Sequence, residues 1–306
     1  MIILYSTLNI IYMMRLFLCL IAGMYAAATF AINLPSVGKN PVQFKKEYGC
    51  VYNKPFFETD QNNVPANFPT AFIKWALKKN QYNIGKTYMW KSVFETTVND
   101  TLLSQLNNYG IDTLLLSPGN NATKITDFLT KAQNQNIHVS RLLSENSYAK
   151  DANGVQKFIA KMQTLQYDFP GLHLNIEPHT FADYKANIPF YTARMDSIYD
   201  VAKQWCDPRN MKLTVSIPMH LPLQNAAFLA NNDITAYIMA YENTDQQKLL
   251  TRTQILRATL QNKYVWVLRI SDFANQQDLL DAVAYLNANG VSRVALYDFS
   301  TISNLF

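Results

Sequence analysis

The sequence predicts an α/β fold, a (β/α)8 TIM barrel with an N-terminal extension. Three observations carry this. From about residue 86 onward, short β-rich runs alternate with longer amphipathic stretches eight times, and strands alternating with helices imply parallel βαβ units. The eight units occupy about 220 residues, close to the ~250 of an ordinary barrel. No Gly-rich turn follows the first strand, as a dinucleotide-binding open sheet requires, so the doubly wound sheet is the second choice.

Strands are expected over Thr87–Phe94, Thr113–Ser117, His138–Leu143, Leu172–Glu177, Lys212–Ile217, Ala236–Tyr241, Val265–Ile270 and Arg293–Tyr297. Helical spacing of apolar residues falls between them, over Thr101–Tyr109, Lys124–Gln135, Val155–Leu165, Tyr191–Trp205, Lys248–Leu260 and Gln277–Asn289. The last ends beside Gly290, a suitable C-cap. The barrel domain therefore spans 86–306. Residues 32–85 form an extension packed on it, rich in proline (Pro35, Pro41, Pro55, Pro65, Pro69), with one helix expected around Ala71–Lys79.

Residues 1–31 read as a signal peptide. Arg15 is their one charge, Leu16–Ile21 is apolar, and Ala26–Ala28 and Thr29–Ala31 supply small residues for cleavage. The apolar run after Arg15 is short of the roughly 20 residues that span a bilayer. The first twelve residues are apolar as well, so an uncleaved anchor is the alternative, and a start at Met13 or Met14 would leave a tidier signal. Export to a secreted or periplasmic location is expected, with membrane association only if the segment stays uncleaved. Cys19 would leave with the signal. Cys50 and Cys206 would remain, either as one disulfide or as two separate thiols.

Composition excludes several classes. Of 306 residues, 49% are hydrophobic and 16% charged, enough for a core and too apolar for disorder. Net charge is +5 with no dense basic run, so a nucleic-acid partner is not expected. No CxxC, His-x-His or HExxH spacing occurs, so no metal or cofactor is expected. A GxSxG elbow is also missing. The loops after strands seven and eight lack glycine, which disfavours wrapping a phosphate. Nothing calls for an oligomer, and a monomer is expected.

In such a barrel the site lies at the C-terminal mouth. Strand ends place there Glu95, Arg141, Glu145, Glu177, His179, His220, Tyr241, Glu242, Asp272 and Asp298. The sharpest signal is Gly171-Leu172-His173-Leu174-Asn175-Ile176-Glu177-Pro178-His179. Alternation puts His173, Asn175 and Glu177 on one face and Leu172, Leu174 and Ile176 on the other. Pro178 cannot donate to the ladder, so Glu177 should land at the rim. Two readings of Glu177 stand side by side: a general acid, or a solvated carboxylate paired with Arg141 or Arg269.

The segment Leu172–Pro178 resembles the fourth-strand motif of the chitinase-like superfamily of glycoside hydrolase barrels, and Ile238-Met239-Ala240-Tyr241 resembles its sixth-strand Met-x-Tyr element. The span from Tyr88-Met89-Trp90 to Ala295-Leu296-Tyr297-Asp298 resembles a group of secreted bacterial barrel proteins. The resemblance implies Glu177 as proton donor and Asn175 and Tyr241 as groups orienting a substrate acyl or hydroxyl. Asn175 departs from the superfamily's usual aspartate, and His173 from an upstream one. Asparagine stands at this position in a related group of endo-β-N-acetylglucosaminidases. A carbohydrate ligand follows, with Glu242, Asp298 or Glu145 as the partner carboxylate and His173, His179, Glu145, Arg141, His220 and Trp90 as substrate contacts. A barrel that binds glycan without turnover, or another hydrolase on the same scaffold, is the alternative.

Overall fold

The computed structural model describes residues 85–165, 169–241 and 243–303, all within the unit Tyr82–Phe306. The expected signal segment 1–31, the expected extension 32–85 except Gly85, and Glu242 lie outside the described residues, and Cys50 with them. Eight parallel strands close into a barrel in chain order, and the first and last meet through Thr87 and Leu296. They are β1 (Lys86–Met89), β2 (Thr113–Leu116), β3 (His138–Leu143), β4 (Gly171–Leu174), β5 (Lys212–Pro218), β6 (Thr235–Met239), β7 (Tyr264–Arg269) and β8 (Val294–Tyr297). Each lies where the sequence places a strand.

Around them run α1 (Lys91–Thr96), α2 (Asn99–Asn108), α3 (Ala122–Asn134), α4 (Ser147–Lys150), α5 (Gly154–Gln163) and α6 (Ile188–Cys206). The ring continues with α7 (Leu223–Asn231), α8 (Gln246–Arg252), α9 (Gln254–Leu260), α10 (Gln276–Ala288) and α11 (Phe299–Ile302). Among the described residues no helix is long and apolar enough to cross a membrane.

One turn recurs where a helix hands over to a strand. Gly110, Asn136, Asp233 and Gly290 all adopt positive φ. Each is followed by a buried aliphatic residue, respectively Ile111, Ile137, Ile234 and Val291. The amides of those aliphatics return to the carbonyls of Leu106, Ala132, Leu229 and Leu286. This closes the last helical turn as a Schellman-type cap and plants an apolar anchor under the next strand. The expected glycine stop at Gly290 is one of four such devices.

Three elements differ from expectation. The first strand ends at Met89 instead of Phe94, because the carbonyl of Trp90 accepts from the amides of both Val93 and Phe94 and starts α1. The helix expected over Lys248–Leu260 breaks at Thr253. Its hydroxyl bonds back to the Leu249 carbonyl at 2.7 Å and Arg257 Nη2 takes the Leu250 carbonyl at 3.1 Å, local bonds that compete with helix continuation. The fourth strand stops at Leu174 instead of Glu177. The Asn175 amide still donates to Leu143 O, and Pro178 then opens a 3-10 turn over Pro178–Thr180.

Strand alternation separates two cores. Leu114, Leu116, Leu172, Leu174, Val215, Ile217, Ile238, Trp266 and Leu296 point outward beneath the helices. Tyr88, Leu115, Leu142, Tyr237, Val265, Val267 and Ala295 fill the barrel itself, with Trp90, Tyr241 and Tyr297 above them. A packed interior of this kind leaves chemistry to the open C-terminal end.

Candidate active site at the barrel mouth

On β4 the inward positions are Gly171 and His173, and the same parity continues through Asn175 and Glu177. Leu172, Leu174 and Ile176 are buried on the outer side. The chain thus climbs from the barrel interior to its mouth along one polar row.

Glu177 is gripped on three sides. Its backbone amide donates to Asn146 Oδ1 at 2.8 Å. Its Oε1 accepts from Asn175 Nδ2 at 2.8 Å. Its Oε2 lies 3.6 Å from Nε2 of His179, with the two side chains 26% and 17% exposed. His179 meets the ring of His220 edge-on at 5.5 Å. Asn175 also reaches Ser144 Oγ at 3.3 Å, so both of its amide hydrogens are engaged.

An aromatic wall completes the mouth. Tyr297 at the end of β8 lies 5.3 Å from Tyr241, 5.5 Å from Tyr88 and 6.2 Å from Trp90, ring centre to ring centre. The Arg269 guanidinium stands 5.7 Å from the Tyr241 ring, donates to the Tyr241 carbonyl at 3.4 Å and pairs with Asp272 at 2.7 Å. Burial raises the phenol pKa values of Tyr88, Tyr241 and Tyr297, and the negative charge of Glu177 adds to each shift. The ring contacts set the three phenols side by side at the mouth.

Below lies a buried hydrogen-bonded column. Tyr88 Oη meets Ser216 Oγ at 3.0 Å, Ser216 Oγ meets His173 Nε2 at 2.8 Å, and His173 Nδ1 meets Thr214 Oγ1 at 2.8 Å. Thr214 Oγ1 donates to the Leu172 carbonyl at 3.4 Å. A carbonyl only accepts, so the column has one direction. Tyr88 donates to Ser216, Ser216 to Nε2, and Nδ1–H to Thr214. Burial holds the His173 pKa down at about 3, so the imidazole is neutral.

The residues expected at the site divide accordingly. Glu177, Asn175, His179, Tyr241 and Trp90 converge, with His220 bordering His179. His173 is a correction: it is fully buried with both nitrogens occupied, a floor support instead of a substrate contact. Arg141 is another. It sits at an outward position of β3, its guanidinium 5.6 Å from the Phe169 ring, off the inward row that carries Glu177. Glu145 is exposed and accepts from the Ser147 amide at 3.1 Å. Asp298 caps α11 by accepting from Ser300 N at 2.9 Å. Of the three expected partner carboxylates, these two each accept from an amide at a helix start. Glu242 lies outside the described residues.

Tyr297, Ser216 and Asn146 are the site members that motif reading passed over. Parity alone marks the first two, since Ala295–Tyr297 and Thr214–Ser216 are inward pairs; Asn146 carries no signal, because only the fold brings it across from the β3 loop.

Among the described residues, no group of three His, Cys, Asp or Glu side chains is arranged to hold a metal ion. The closed ring of eight parallel strands with its surrounding helices defines a (β/α)8 TIM-barrel fold. The structure is similar to the PgaB (BpsB) glycoside hydrolase domain from Bordetella bronchiseptica, with a TM-score of 0.51 and 10% identity over 72% of this chain and 96% of that one. At that identity the likeness is one of fold. The sequence matches no protein-family model and no curated protein.

Proposed function

We propose that this protein is an exported glycoside hydrolase that engages a glycan at the barrel mouth, with Glu177 as general acid. The observation that carries the reading is the 2.8 Å bond from Asn175 Nδ2 to Glu177 Oε1. It holds a partly buried carboxyl at the end of the polar row that climbs β4, with its other oxygen 3.6 Å from His179 Nε2. Trp90, Tyr241 and Tyr297 supply flat apolar faces suited to sugar rings, and the strand-four and strand-six motifs that resemble the chitinase-like superfamily lie together here. Tyr241 would orient the substrate as that resemblance implies. Asn175 would present its amide to an acyl oxygen by giving up the longer bond to Ser144.

A second reading, a glycan-binding barrel without turnover, is favoured by a specific observation. Asp298, Asp272 and Glu145 are each bonded elsewhere, which leaves the acid without a described carboxylate partner across the mouth.

Turnover of aryl glycosides and chitooligosaccharides by wild type and Glu177→Gln separates the readings. Hydrolysis that falls by about 100-fold or more in the variant supports the enzyme. Equal rates remove Glu177 from the chemistry. Saturable binding with no product in either protein selects the binding module.

A further inference from the structure

We propose that His179 is a positioning residue for Glu177, its imidazole sharing one working proton with the Glu177 carboxyl and keeping that proton on the pair into the neutral range. The inference deepens the hydrolase reading and rests on it.

Glu177 Oε1 faces a donor, Asn175 Nδ2 at 2.8 Å. An amide N–H cannot accept, so a carboxylic-acid proton has its place on Oε2. Oε2 is the oxygen that lies 3.6 Å from His179 Nε2, a separation of the kind that tightens when substrate closes a site. The backbone sets this meeting. Pro178 locks φ between the two residues, and both the amide and the hydroxyl of Thr180 donate to the Glu177 carbonyl, at 3.2 and 2.7 Å. Asn146 fixes the Glu177 amide from the neighbouring loop.

With one proton on the pair, two arrangements exchange: carboxylate with imidazolium, and carboxylic acid with imidazole. The second performs the step. The Glu177 O–H bond breaks as the proton joins the leaving oxygen, and the glycosidic C–O bond breaks with its electron pair on that oxygen. Water then adds its hydroxyl to the sugar and its proton to Glu177. Because the pair gives up its last proton as a unit, the alkaline limit of activity follows the pair.

Among the described residues, several other ionisable groups stand near the pair. Tyr88, Tyr241 and Tyr297 face Glu177, and burial lifts all three. Tyr184, Tyr191 and Tyr199 line the small cavity behind His179 and are lifted likewise. Arg269 lies against Tyr241, and the charge of Asp298 acts on Tyr297. His220 is the second imidazole in reach of His179 and is the necessary control.

Two measurements on the full chain test this. Nitrogen-15 NMR titration of the four histidines, assigned with single His→Gln variants, should show the His179 midpoint about one pH unit higher in wild type than in Glu177→Gln, and little moved by His220→Gln. Equal midpoints in wild type and Glu177→Gln overturn the pair. On any glycoside that wild type cleaves, His179→Gln should shift the alkaline limb of kcat/KM acidward by about one unit; an unmoved limb overturns the positioning role. The NMR shift without hydrolysis by wild type overturns the hydrolase reading alone. Hydrolysis without the NMR shift overturns the pair alone.

Discussion

Asn175 donates to Glu177 across 2.8 Å although the two are only two positions apart in the chain. Consecutive inward positions of a regular strand project in parallel and do not ordinarily turn toward each other. Here the ladder has already ended at Leu174, and the freed backbone lets the carboxyl fold back onto the amide.

That relationship yields the first prediction. On the proposed reading of Glu177 as general acid, Asn175→Ala should lower hydrolysis about 10- to 100-fold by loosening the carboxyl's orientation. Asn175→Asp should do something different. It sets two carboxyls in contact, and like charges raise the pKa of one of them. A carboxyl raised on folding contributes fully below its unfolded pKa and loses stability as pH rises. The variant should therefore be increasingly less stable than wild type from about pH 4 to pH 7, as urea midpoints at several pH values will show.

His173 makes the fold acid-sensitive. An unfolded imidazole takes up its proton near 6.5, whereas the folded one resists until about 3 because of burial. Between those values the unfolded state binds the extra proton. Stability should therefore fall by about 1.4 kcal/mol for each pH unit below 6.5. His138, also lowered mainly by burial, acts in the same direction. In His173→Gln the slope should shrink by about one proton's worth, and an unchanged slope would show that the ring is accessible to acid in the folded state.

Two glycines separate backbone strain from crowding. A Cβ at Gly290, φ +83°, would meet nothing within 4 Å, so Gly290→Ala should cost only the left-handed conformation, about 1–2 kcal/mol. A Cβ at Gly119, φ +68°, would come within 2.7 Å of Glu95 Cδ. That carboxyl is the far end of an exposed, flexible side chain that can swing aside, so Gly119→Ala should cost about as much in thermal unfolding as Gly290→Ala. A clearly larger loss, recovered by Glu95→Ala, would show that Glu95 is held in place.

Cys206 ends α6 as a buried free thiol, whose pKa burial pushes up to about 12. Reaction with a thiol reagent needs the thiolate. Cys206 should therefore stay unmodified by iodoacetamide in the native protein and be alkylated in urea without reductant, as peptide mass spectrometry can follow. Alkylation that requires reductant would show Cys206 paired, the other arrangement the sequence allows.

Local patterning by itself determined much of this protein. Alternating strand and helix signals placed all eight strands, since short apolar runs and amphipathic spacing reflect burial that every βα unit needs. Period-two alternation also put His173, Asn175 and Glu177 on one side of β4. Tertiary structure decided how deep along that row each residue lies. His173 is sealed beneath Tyr88 and Ser216, whereas Glu177 emerges, and parity carries no information on height within a barrel. It also turned Arg141 outward, engaged Asp298 and Glu145 with amides at helix starts, brought Asn146 to Glu177 from the loop after β3, and set Tyr297 of β8 against Tyr241. Strand ends lie next to one another only after the barrel closes, so which of them share a pocket is a property of closure and register, not of any segment of sequence.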